Sequence, residues 1–274
     1  MRKTMMITGA SSGFGKGAAI GLAKKGHRVV ATVQVDSLKT MLLEDIKEEG
    51  VEMEVIVVDI TKEEDRRLAF AYDVDVLINN AGTMQTGPAG EIPMDRVREN
   101  YEVNVFGTLA FTQGFLPKMA EKRSGKVIFT SSVGGLVTMP FASIYTSTKH
   151  ALESIAEGLR EELRGTGVEV CTVNPGIFGT GFNDRGAETM MKWFSPQKSL
   201  CSPQVIEEIL ESGGLDDQLD PELMIEAMIR VAEEDSSSFR NVVPEAIVPW
   251  IKKTQEVAWA AKKNDSLTVD LNSL

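Results

Sequence analysis

The chain has 274 residues, 42% of them hydrophobic, and carries a formal net charge of −11 at pH 7. This length and apolar content are enough for one large α/β domain around a buried sheet. The acidic charge without a basic cluster argues against nucleic-acid binding, and no apolar stretch approaches the roughly 20 residues of a membrane span. We therefore predict a cytoplasmic protein that binds neither nucleic acid nor membrane.

The predicted elements alternate between apolar strands and amphipathic helices. The first strand lies in MRKTMMIT, which we interpret as a strand and not a signal peptide because it runs directly into a glycine-rich turn. Further strands are predicted at residues 29–33, 55–58, 74–78, 126–129, 168–173 and 241–243, and helices at residues 14–25, 36–49, 96–122, 142–164 and 221–235. Continuous apolar strands separated by helices are typical of a doubly wound parallel sheet covered on both faces. We assign residues 1–243 to this single domain, with an insertion at residues 181–220, and residues 244–274 to a C-terminal extension.

Glycine and asparagine clusters follow three of the predicted strands. They are TGASSGFG at residues 8–15, NNAG at residues 79–82 and NPG at residues 174–176. Glycine allows positive φ and lets the backbone approach a pyrophosphate at a helix N-terminus, and open parallel sheets bind ligands at the carboxyl ends of their strands. The pattern therefore predicts a dinucleotide site. Its spacing, G-x-x-x-G-x-G, departs from the usual G-x-G-x-x-G, so a plain tight turn is the alternative.

A serine, a tyrosine and a lysine are arranged for proton transfer. Ser132 lies thirteen residues before Tyr145, and Lys149 follows four residues after the tyrosine. On a helix Tyr145 and Lys149 would share one face, and a nearby ammonium lowers the pKa of a phenol from its usual value of about 10. For this pair taken alone, a stretched lysine on an exposed helix surface is the alternative.

These motifs carry a family resemblance. In chain order, TGASSGFG, NNAG, Asn104, Ser132, the Tyr145 and Lys149 pair and NPGIFGT resemble the short-chain dehydrogenase/reductase family. The similarity spans about residues 3–180, and residues 131–154 are most similar to the 17-beta-hydroxysteroid dehydrogenase and carbonyl reductase branches. It implies a Rossmann fold, an NAD or NADP cofactor and hydride transfer between nicotinamide and a secondary alcohol or ketone. Residues 61–72 are short for a crossover helix of this family, so we expect a trimmed rim of the sheet there.

The resemblance also implies a catalytic tetrad. Tyr145 would be the general acid/base, and Ser132 would hydrogen bond the substrate oxygen. Lys149 would lower the tyrosine pKa and hold the nicotinamide ribose, and Asn104 would hold a water that links Lys149 to solvent. Physical reasoning agrees, because hydride transfer at a carbonyl builds negative charge on an oxygen that positioned hydroxyl groups stabilise and protonate.

Cofactor contacts are implied at several strand ends. Those expected to bind the adenosine diphosphate part are Gly9, Ser11, Ser12, Gly13, Phe14, Gly15, Gln34, Asp59, Ile60, Asn80, Ala81 and Gly82. Those expected to bind the nicotinamide nucleoside are Tyr145, Lys149, Pro175, Gly176, Ile177 and Thr180. Asp59 has an alternative role as a cap of the helix that begins near Thr61.

The choice between NAD and NADP depends on the end of the second predicted strand. NAD-preferring members carry an acidic residue where this chain has Val33, and NADP-preferring members carry an arginine where it has Gln34. Ser12 likewise offers no cation to a 2′-phosphate. We predict NAD in preference to NADP, which stays open because the acid is missing and Lys39 could reach the site.

Apolar side chains beside the motifs indicate a hydrophobic substrate. The expected substrate contacts, besides Ser132, are Met84, Phe141, Phe182, Met190 and Trp193. Two of them lie in the insertion with Met191 and Phe194, where methionine and aromatic side chains make an adaptable lid. A subunit contact is the alternative for this cluster. The lid interpretation predicts an apolar or aromatic alcohol or ketone.

The sequence gives weaker grounds for other kinds of site and for other functions. Two cysteines and two histidines occur without a ligand cluster around them, so we predict neither a disulfide nor a metal. A nicotinamide-assisted epimerase or dehydratase and a non-catalytic dinucleotide sensor are the alternative functions. The intact Tyr145 and Lys149 argue against the sensor. The family implies a homodimer or homotetramer.

Overall fold

Seven parallel strands form one sheet in the computed structural model, which describes residues 1–211, 218–263, 265–267 and 269. The strands are β1 (Thr4–Ile7), β2 (Arg28–Val33), β3 (Glu54–Val57), β4 (Val76–Asn79), β5 (Gly125–Thr130), β6 (Val168–Pro175) and β7 (Arg240–Val243). Their order across the sheet is β3-β2-β1-β4-β5-β6-β7, and every neighbouring pair is parallel. The predicted doubly wound parallel sheet is confirmed.

Helices connect the strands on both faces of the sheet. Those of the described chain are α1 (Gly13–Lys24), α2 (Asp36–Glu48), α3 (Glu63–Ala69), α4 (Met94–Tyr101), α5 (Thr108–Lys122), α6 (Ser143–Glu162), α7 (Phe182–Met191), α8 (Pro203–Glu211), α9 (Pro221–Glu233) and α10 (Val248–Ala260). The short α3 fits the trimmed rim expected at residues 61–72. Nowhere in the described chain is a helix both long and apolar enough to cross a membrane.

One predicted helix is interrupted. Residues 96–122 were expected to form a continuous helix, but a π-helical turn at Glu102–Gly107 separates α4 from α5. The apolar periodicity runs through this turn, so the sequence pattern does not reveal it. π-helical turns inside helices frequently occur at functional sites.

Strand residues point alternately to two helical layers. Met5 and Ile7 of β1 lie in the cluster covered by α1, α2 and α9, whereas Met6 lies in the cluster covered by α5 and α6. All three side chains are fully buried. Burial on both faces explains why these strands appear in the sequence as continuous apolar runs.

Two glycines let α1 and α9 pack closely. A Cβ placed on Gly17 would lie 2.3 Å from Cδ1 of Ile225, and one placed on Gly21 would lie 2.3 Å from Cδ1 of Ile229. The isoleucines of α9 therefore occupy the space that side chains on this face of α1 would need. Because α1 begins in the glycine-rich turn, this contact helps to hold that turn against the domain.

The predicted insertion and extension are described only in part. Residues 212–217 of the insertion at 181–220, and residues 264, 268 and 270–274 of the extension at 244–274, lie outside the described residues. The extension contains α10, whose Ile251 is buried with Val133 and Val137. Gln255 Nε2 of α10 also donates to the carbonyl oxygen of Leu136 at 2.9 Å. The C-terminal helix thus covers the turn that follows Ser132.

Candidate active site

The predicted site residues meet at the carboxyl ends of four strands. The glycine turn follows β1, Asn80 follows β4, Ser132 follows β5 and Pro175 ends β6. From β1 the chain proceeds to β2 and β3 on one side, and from β4 it proceeds to β5, β6 and β7 on the other. The glycine turn therefore lies at a topological switch point, where doubly wound sheets bind ligands.

The glycine turn leaves bare backbone at the start of α1. Gly9 has φ +65° and Gly13 has φ +54°, a region that favours glycine. A Cβ on Gly9 would lie 2.7 Å from Cα of Ala81. Ser12, the N-cap residue of α1, makes no side-chain cap hydrogen bond. The first N–H groups of the helix are thus left for an anionic ligand, and the turn fits a diphosphate.

Asn80 and Thr8 hold the turn against the loop after β4. Asn80 Nδ2 donates to the carbonyl oxygens of Thr8 at 3.1 Å and Gly9 at 3.0 Å. Thr8 Oγ1 accepts from the backbone N–H of Asn80 at 2.9 Å and of Ala81 at 3.0 Å. A Cβ on Gly15 would lie 2.4 Å from Asn80 Nδ2. Asn80 is therefore a support of the turn, and Thr8 is a second support that sequence reasoning missed although it opens the TGASSGFG motif.

The Asp59 side chain is held by Thr61 and Gln34. The N-cap residue of α3 is Lys62, so Asp59 is not the cap of that helix, and its contact with the cofactor stays a prediction. Its Oδ1 accepts from the N–H of Thr61 at 3.0 Å and from the hydroxyl of Thr61 at 2.7 Å, in the turn before α3. Its Oδ2 accepts from Gln34 Nε2 at 3.2 Å, at the end of β2. Partial burial works to raise the pKa of Asp59, but the hydrogen bonds from Thr61 and Gln34 hold this pKa below its usual value. Lys39, the residue that could reach a 2′-phosphate according to the sequence, lines a groove along the edge of β3 together with Arg28.

Phe14 and Ile60 are mainly packing residues. The ring of Phe14 meets that of Phe178 edge-on, with centroids 5.4 Å apart. Ile60 is buried in the cluster under α5 and α6. We therefore expect Phe14 and Ile60 to contact the predicted cofactor through backbone atoms, while their side chains shape the site by packing.

Ser132, Tyr145 and Lys149 meet between β5 and α6. The Ser132 hydroxyl lies near enough to Tyr145 to act on its pKa, and its oxygen accepts from the N–H of Gly134 at 2.9 Å. Lys149 Nζ lies 5.7 Å from the centroid of the Tyr145 ring and donates to the carbonyl oxygen of Thr130 at 2.8 Å. The tyrosine is 8% exposed and the lysine 5% exposed. The predicted proximity of the three groups is thus present, in a nearly dry environment.

Burial dominates the proton affinities of Tyr145 and Lys149. It raises the pKa of Tyr145 to about 12, against the hydrogen bond with Ser132, which lowers it. It lowers the pKa of Lys149 to about 8, against the negative charge of Glu153, which raises it. The sequence led us to expect a tyrosine pKa lowered by the lysine. In this structure burial sets the direction of the shift instead, and the Lys149 ammonium lies over the ring and is hydrogen bonded to Thr130.

Asn104 lies in the π-helical turn and is fully buried. Its Oδ1 accepts from the N–H of Thr83, and its Nδ2 donates to the carbonyl oxygen of Thr83, both at 2.8 Å. A Cβ on Gly82 would lie 3.3 Å from Asn104 Oδ1 and 3.8 Å from Lys149 Nζ. Gly82 therefore lies next to both Asn104 and Lys149. The water-holding role of Asn104 stays a prediction.

The segment after β6 returns to the glycine turn. The N–H of Gly176 donates to the carbonyl oxygen of Val243 at 2.8 Å. A Cβ on Gly13 would lie 3.3 Å from Cβ of Thr180. Ile177 between them is 36% exposed, so its side chain is accessible. The residues predicted to hold the nicotinamide thus lie next to those predicted to hold the diphosphate.

The insertion places apolar side chains over the tyrosine. The ring of Phe182, at the start of α7, lies 5.9 Å from that of Tyr145. Phe141 and Met190 are buried in one cluster, against which Trp193 and Phe194 pack. This arrangement agrees with the lid interpretation of the insertion.

Two close contacts fix the lid. A Cβ on Gly186 would lie 3.0 Å from Met84, and one on Gly87 would lie 2.2 Å from the Trp193 ring. In the described chain the buried Nε1–H of Trp193 has no hydrogen-bond partner. Met191, which we grouped with the lid, is 71% exposed because it lies on the outer side of α7.

The family follows from comparison of the whole motif order with known proteins. Residues 3–190 match the model of the short chain dehydrogenase family. The chain belongs to the short-chain dehydrogenase family. The predicted family is confirmed, and with it the oxidoreductase class.

Relatives of this short-chain dehydrogenase act on different substrates. A 3-ketodihydrosphingosine reductase from Bacteroides thetaiotaomicron is 37% identical over 187 residues, which are 66% of this chain and 65% of that protein. Estradiol 17-beta-dehydrogenase 1 from Rattus norvegicus is 35% identical over 191 residues, which are 66% of this chain and 56% of that protein. A short-chain dehydrogenase structure from Streptomyces avermitilis, 28% identical, matches with a TM-score of 0.79 over 95% of this chain and 94% of that one. The chain thus spans less than two thirds of the length of the two enzymes.

Beneath the tetrad of this short-chain dehydrogenase lies a polar group that sequence reasoning missed. Glu153 and Asn174 are buried, and Arg240 of β7 contacts Glu153. The position of Glu153, four residues after Lys149 on one helix, is a signal that could have found it. Arg240 is 87 residues away from Glu153 in the chain, and no local pattern joins the two.

Proposed function

We propose that this short-chain dehydrogenase transfers a hydride between a nicotinamide and an apolar or aromatic secondary alcohol or ketone. The meeting of the buried Ser132, Tyr145 and Lys149 side chains between β5 and α6 carries the proposal. In ketone reduction the two hydroxyl groups would bind the substrate oxygen, stabilise its developing charge and deliver a proton from Tyr145. The bound nicotinamide would supply the hydride.

The proton balance depends on Lys149. Its ammonium, buried below the tyrosine, would stabilise the phenolate that remains after Tyr145 gives up its proton. Its hydrogen bond to the Thr130 carbonyl fixes the side chain in place. In the oxidation of an alcohol the same groups would work in reverse, with Tyr145 accepting the substrate proton.

The residues that would hold the cofactor are those of the glycine turn and the strand ends around it. The turn fits a diphosphate because its backbone is bare and its first helical N–H groups are not capped by Ser12. We propose NAD in preference to NADP because Gln34 carries no charge for a 2′-phosphate and is bonded to the acidic Asp59. Gln34→Arg should therefore shift preference toward NADPH.

The substrate class rests on the lid. Phe182 lies against the Tyr145 ring, and the insertion contributes Met190 to an apolar cluster with Phe141, so a ligand beside Tyr145 would meet apolar surface. Trp193 would add one hydrogen-bond donor to an otherwise apolar wall. The names of the two relatives, a ketosphingosine reductase and an estradiol dehydrogenase, denote mostly apolar ketones and alcohols, which supports this class.

The function can be tested by cofactor titration followed by turnover. NADH and NADPH are titrated against the purified protein by fluorescence transfer, and a panel of ketones and secondary alcohols is assayed with the tighter cofactor. Tyr145→Phe is the control for background reduction. We expect turnover of apolar ketones that this variant lacks. Cofactor binding without any turnover would favour the sensor, and product formation without net cofactor oxidation would favour the epimerase.

We further propose that the protein is a homodimer or homotetramer and acts in the cytoplasm. Met94 of α4 and Phe106 of the π-helical turn are more than half exposed, and Phe106 lies near the ring of Tyr101. A second subunit on this face would cover them. Light scattering during gel filtration, with Phe106→Ser as the variant, tests the assembly.

A further inference from the structure

Glu153 stands in line with the catalytic side chains of α6. It follows Tyr145 by two helical turns and Lys149 by one, so the three side chains share one face. Only 4% of Glu153 is exposed. Its Oε1 accepts from Asn174 Nδ2 at 2.7 Å, and its Oε2 accepts from Arg240 Nε at 2.8 Å. A buried carboxylate is costly unless it is paired, and here Asn174 and Arg240 supply the partners.

Asn174 links Glu153 to two other parts of the site. It lies immediately before Pro175, at the start of the segment predicted to hold the nicotinamide. Its Nδ2 also donates to the carbonyl oxygen of Ser132 at 3.2 Å, and its Oδ1 accepts from the Thr172 hydroxyl at 2.9 Å. Glu153 thus orients, through one amide, the backbone of the catalytic serine and the end of β6.

The hydrogen bond from Asn174 does not by itself require a negative charge on Glu153. A neutral glutamine could accept from Asn174, yet the chain buries a carboxylate one turn from a buried lysine. Arg240 faces Glu153 from β7 and also contacts Glu157, so it balances part of the charge. Among the described residues, Glu153 is the charged group whose field acts appreciably on Lys149, and it opposes the loss of the lysine proton.

Within the described chain, the side chains of Lys149 and Glu153 are surrounded by groups from several elements. Lys149 is faced by Tyr145 and Glu153 from α6, by the carbonyl oxygen of Thr130 from β5 and by Asn104 from the π-helical turn. Glu153 is faced by Asn174 from β6, by Arg240 from β7 and by the backbone near Gly135. Only Tyr145, Lys149, Glu153 and Arg240 of these groups carry or change charge.

We propose that Glu153 is a positioning residue of the reaction, whose carboxylate orients Ser132 through Asn174 and stabilises the Lys149 ammonium. The proposal rests on the proposed function, since it concerns the same proton transfer. On this proposal, ketone reduction at alkaline pH requires the negative charge of Glu153 and not only its hydrogen bonds.

The test compares Glu153→Gln with Glu157→Gln and Arg240→Gln over the pH profile of ketone reduction. Glu153→Gln removes the charge and keeps an acceptor for Asn174. We expect the alkaline limb of kcat/KM to move to lower pH by roughly one unit, which is about a five-fold loss at pH 8 and little loss at pH 6. Glu157→Gln, the matched control, removes an equal charge that also contacts Arg240 but is exposed, and should leave the limb in place.

Arg240→Gln should not move the alkaline limb to lower pH. It removes the positive neighbour of Glu153, so the limb should stay where it is or move to higher pH. A merely structural group would lose activity in both variants at every pH. An unmoved limb in Glu153→Gln, an equal shift in Glu157→Gln, or a downward shift in Arg240→Gln would each overturn the proposal. If Glu153→Gln does not fold, Glu153→Asp and Arg240→Gln carry the test, and Glu153→Asp should keep the wild-type limb.

A second readout separates this proposal from the proposed function. The Cε resonance of Lys149 in protein labelled with carbon-13 lysine, assigned with Lys149→Arg, is titrated without substrate. Its midpoint should fall in Glu153→Gln even if the wild-type protein reduces none of the ketones. A midpoint unchanged in that variant contradicts the role of Glu153, whereas absent turnover with a shifted midpoint contradicts only the proposed reaction.

Discussion

The close packing of α1 on α9 should make a usually favourable substitution unfavourable. Replacing a glycine inside a helix by alanine stabilises the helix by about 1 kcal/mol, because alanine loses less backbone freedom on folding. At Gly21 the new Cβ would lie 2.3 Å from Cδ1 of Ile229, more than 1 Å inside the 3.4 Å at which ordinary contact begins. Because Ile229 is buried in the core cluster, its Cδ1 has little space into which to turn, and overpacking of this kind costs about 1–3 kcal/mol. We expect Gly21→Ala to lower the free energy of unfolding by about 1 kcal/mol net.

Gly158 provides the matched control. It lies inside α6, and a Cβ there would meet only Glu162 Oε1, at 3.7 Å. Gly158→Ala should therefore stabilise the protein by about 0.5–1 kcal/mol. Ile229→Val removes the colliding Cδ1 and leaves Cγ1 at 3.4 Å from the new Cβ. In that background Gly21→Ala should no longer destabilise the protein.

Urea unfolding followed by circular dichroism measures these differences, with the wild type, the three single variants and the double variant at one temperature. The coupling between Gly21→Ala and Ile229→Val should be about 1–2 kcal/mol in the stabilising direction. If Gly21→Ala stabilises the chain as much as Gly158→Ala does, or if the valine changes nothing, the contact between α1 and α9 is looser than described and the argument fails.

Three further outcomes concern the active site. Tyr145→Phe should lower turnover by about 10²-fold or more while the NADH dissociation constant changes little, and near-normal turnover would remove Tyr145 from its role. Because burial lowers the pKa of Lys149 from 10.5 to about 8, its ammonium is present at neutral pH and lost above it, so kcat/KM for ketone reduction should fall as the pH rises through about 8. A rate that stays constant to pH 9.5 would refute this. Gly87→Ala, at φ +133° and against the Trp193 ring, should raise the KM for ketone by about ten-fold without weakening NADH binding, and equal losses in both would show general damage.

The parts of the site that could be predicted are those encoded locally at strand ends. The glycine turn, the NNAG loop and the NPG segment each follow an apolar run, and parallel strands bring their carboxyl ends to one edge. Tyr145 and Lys149 could be paired because four residues make one helical turn. Topology and helix geometry therefore sufficed for these residues.

Other features depend on contacts that the sequence pattern does not contain. The π-helical turn of Asn104 is fixed by Thr83, which is 21 residues away in the chain. The pKa of Tyr145 rises because the folded chain excludes water around it, and a motif carries no information on that exclusion. The pairing of Glu153 with Arg240 joins an internal helix to the last strand. Exposure of Met191 likewise depends on which way α7 faces.

The contact of α10 with the turn after Ser132 decides whether a shortened chain would keep an intact site. A protein cut after Val243 would keep every motif by which the family is recognised, from the glycine turn to NPGIFGT. It would also uncover Val133 and Val137 and leave the Leu136 carbonyl without the donor that Gln255 provides. Such a fragment would look complete to a motif search and still lack the residues that cover the turn after Ser132. Deletion libraries and C-terminal fusions should therefore keep residues 248–260, whose Ile251 is buried against this turn, and not treat them as a dispensable tail.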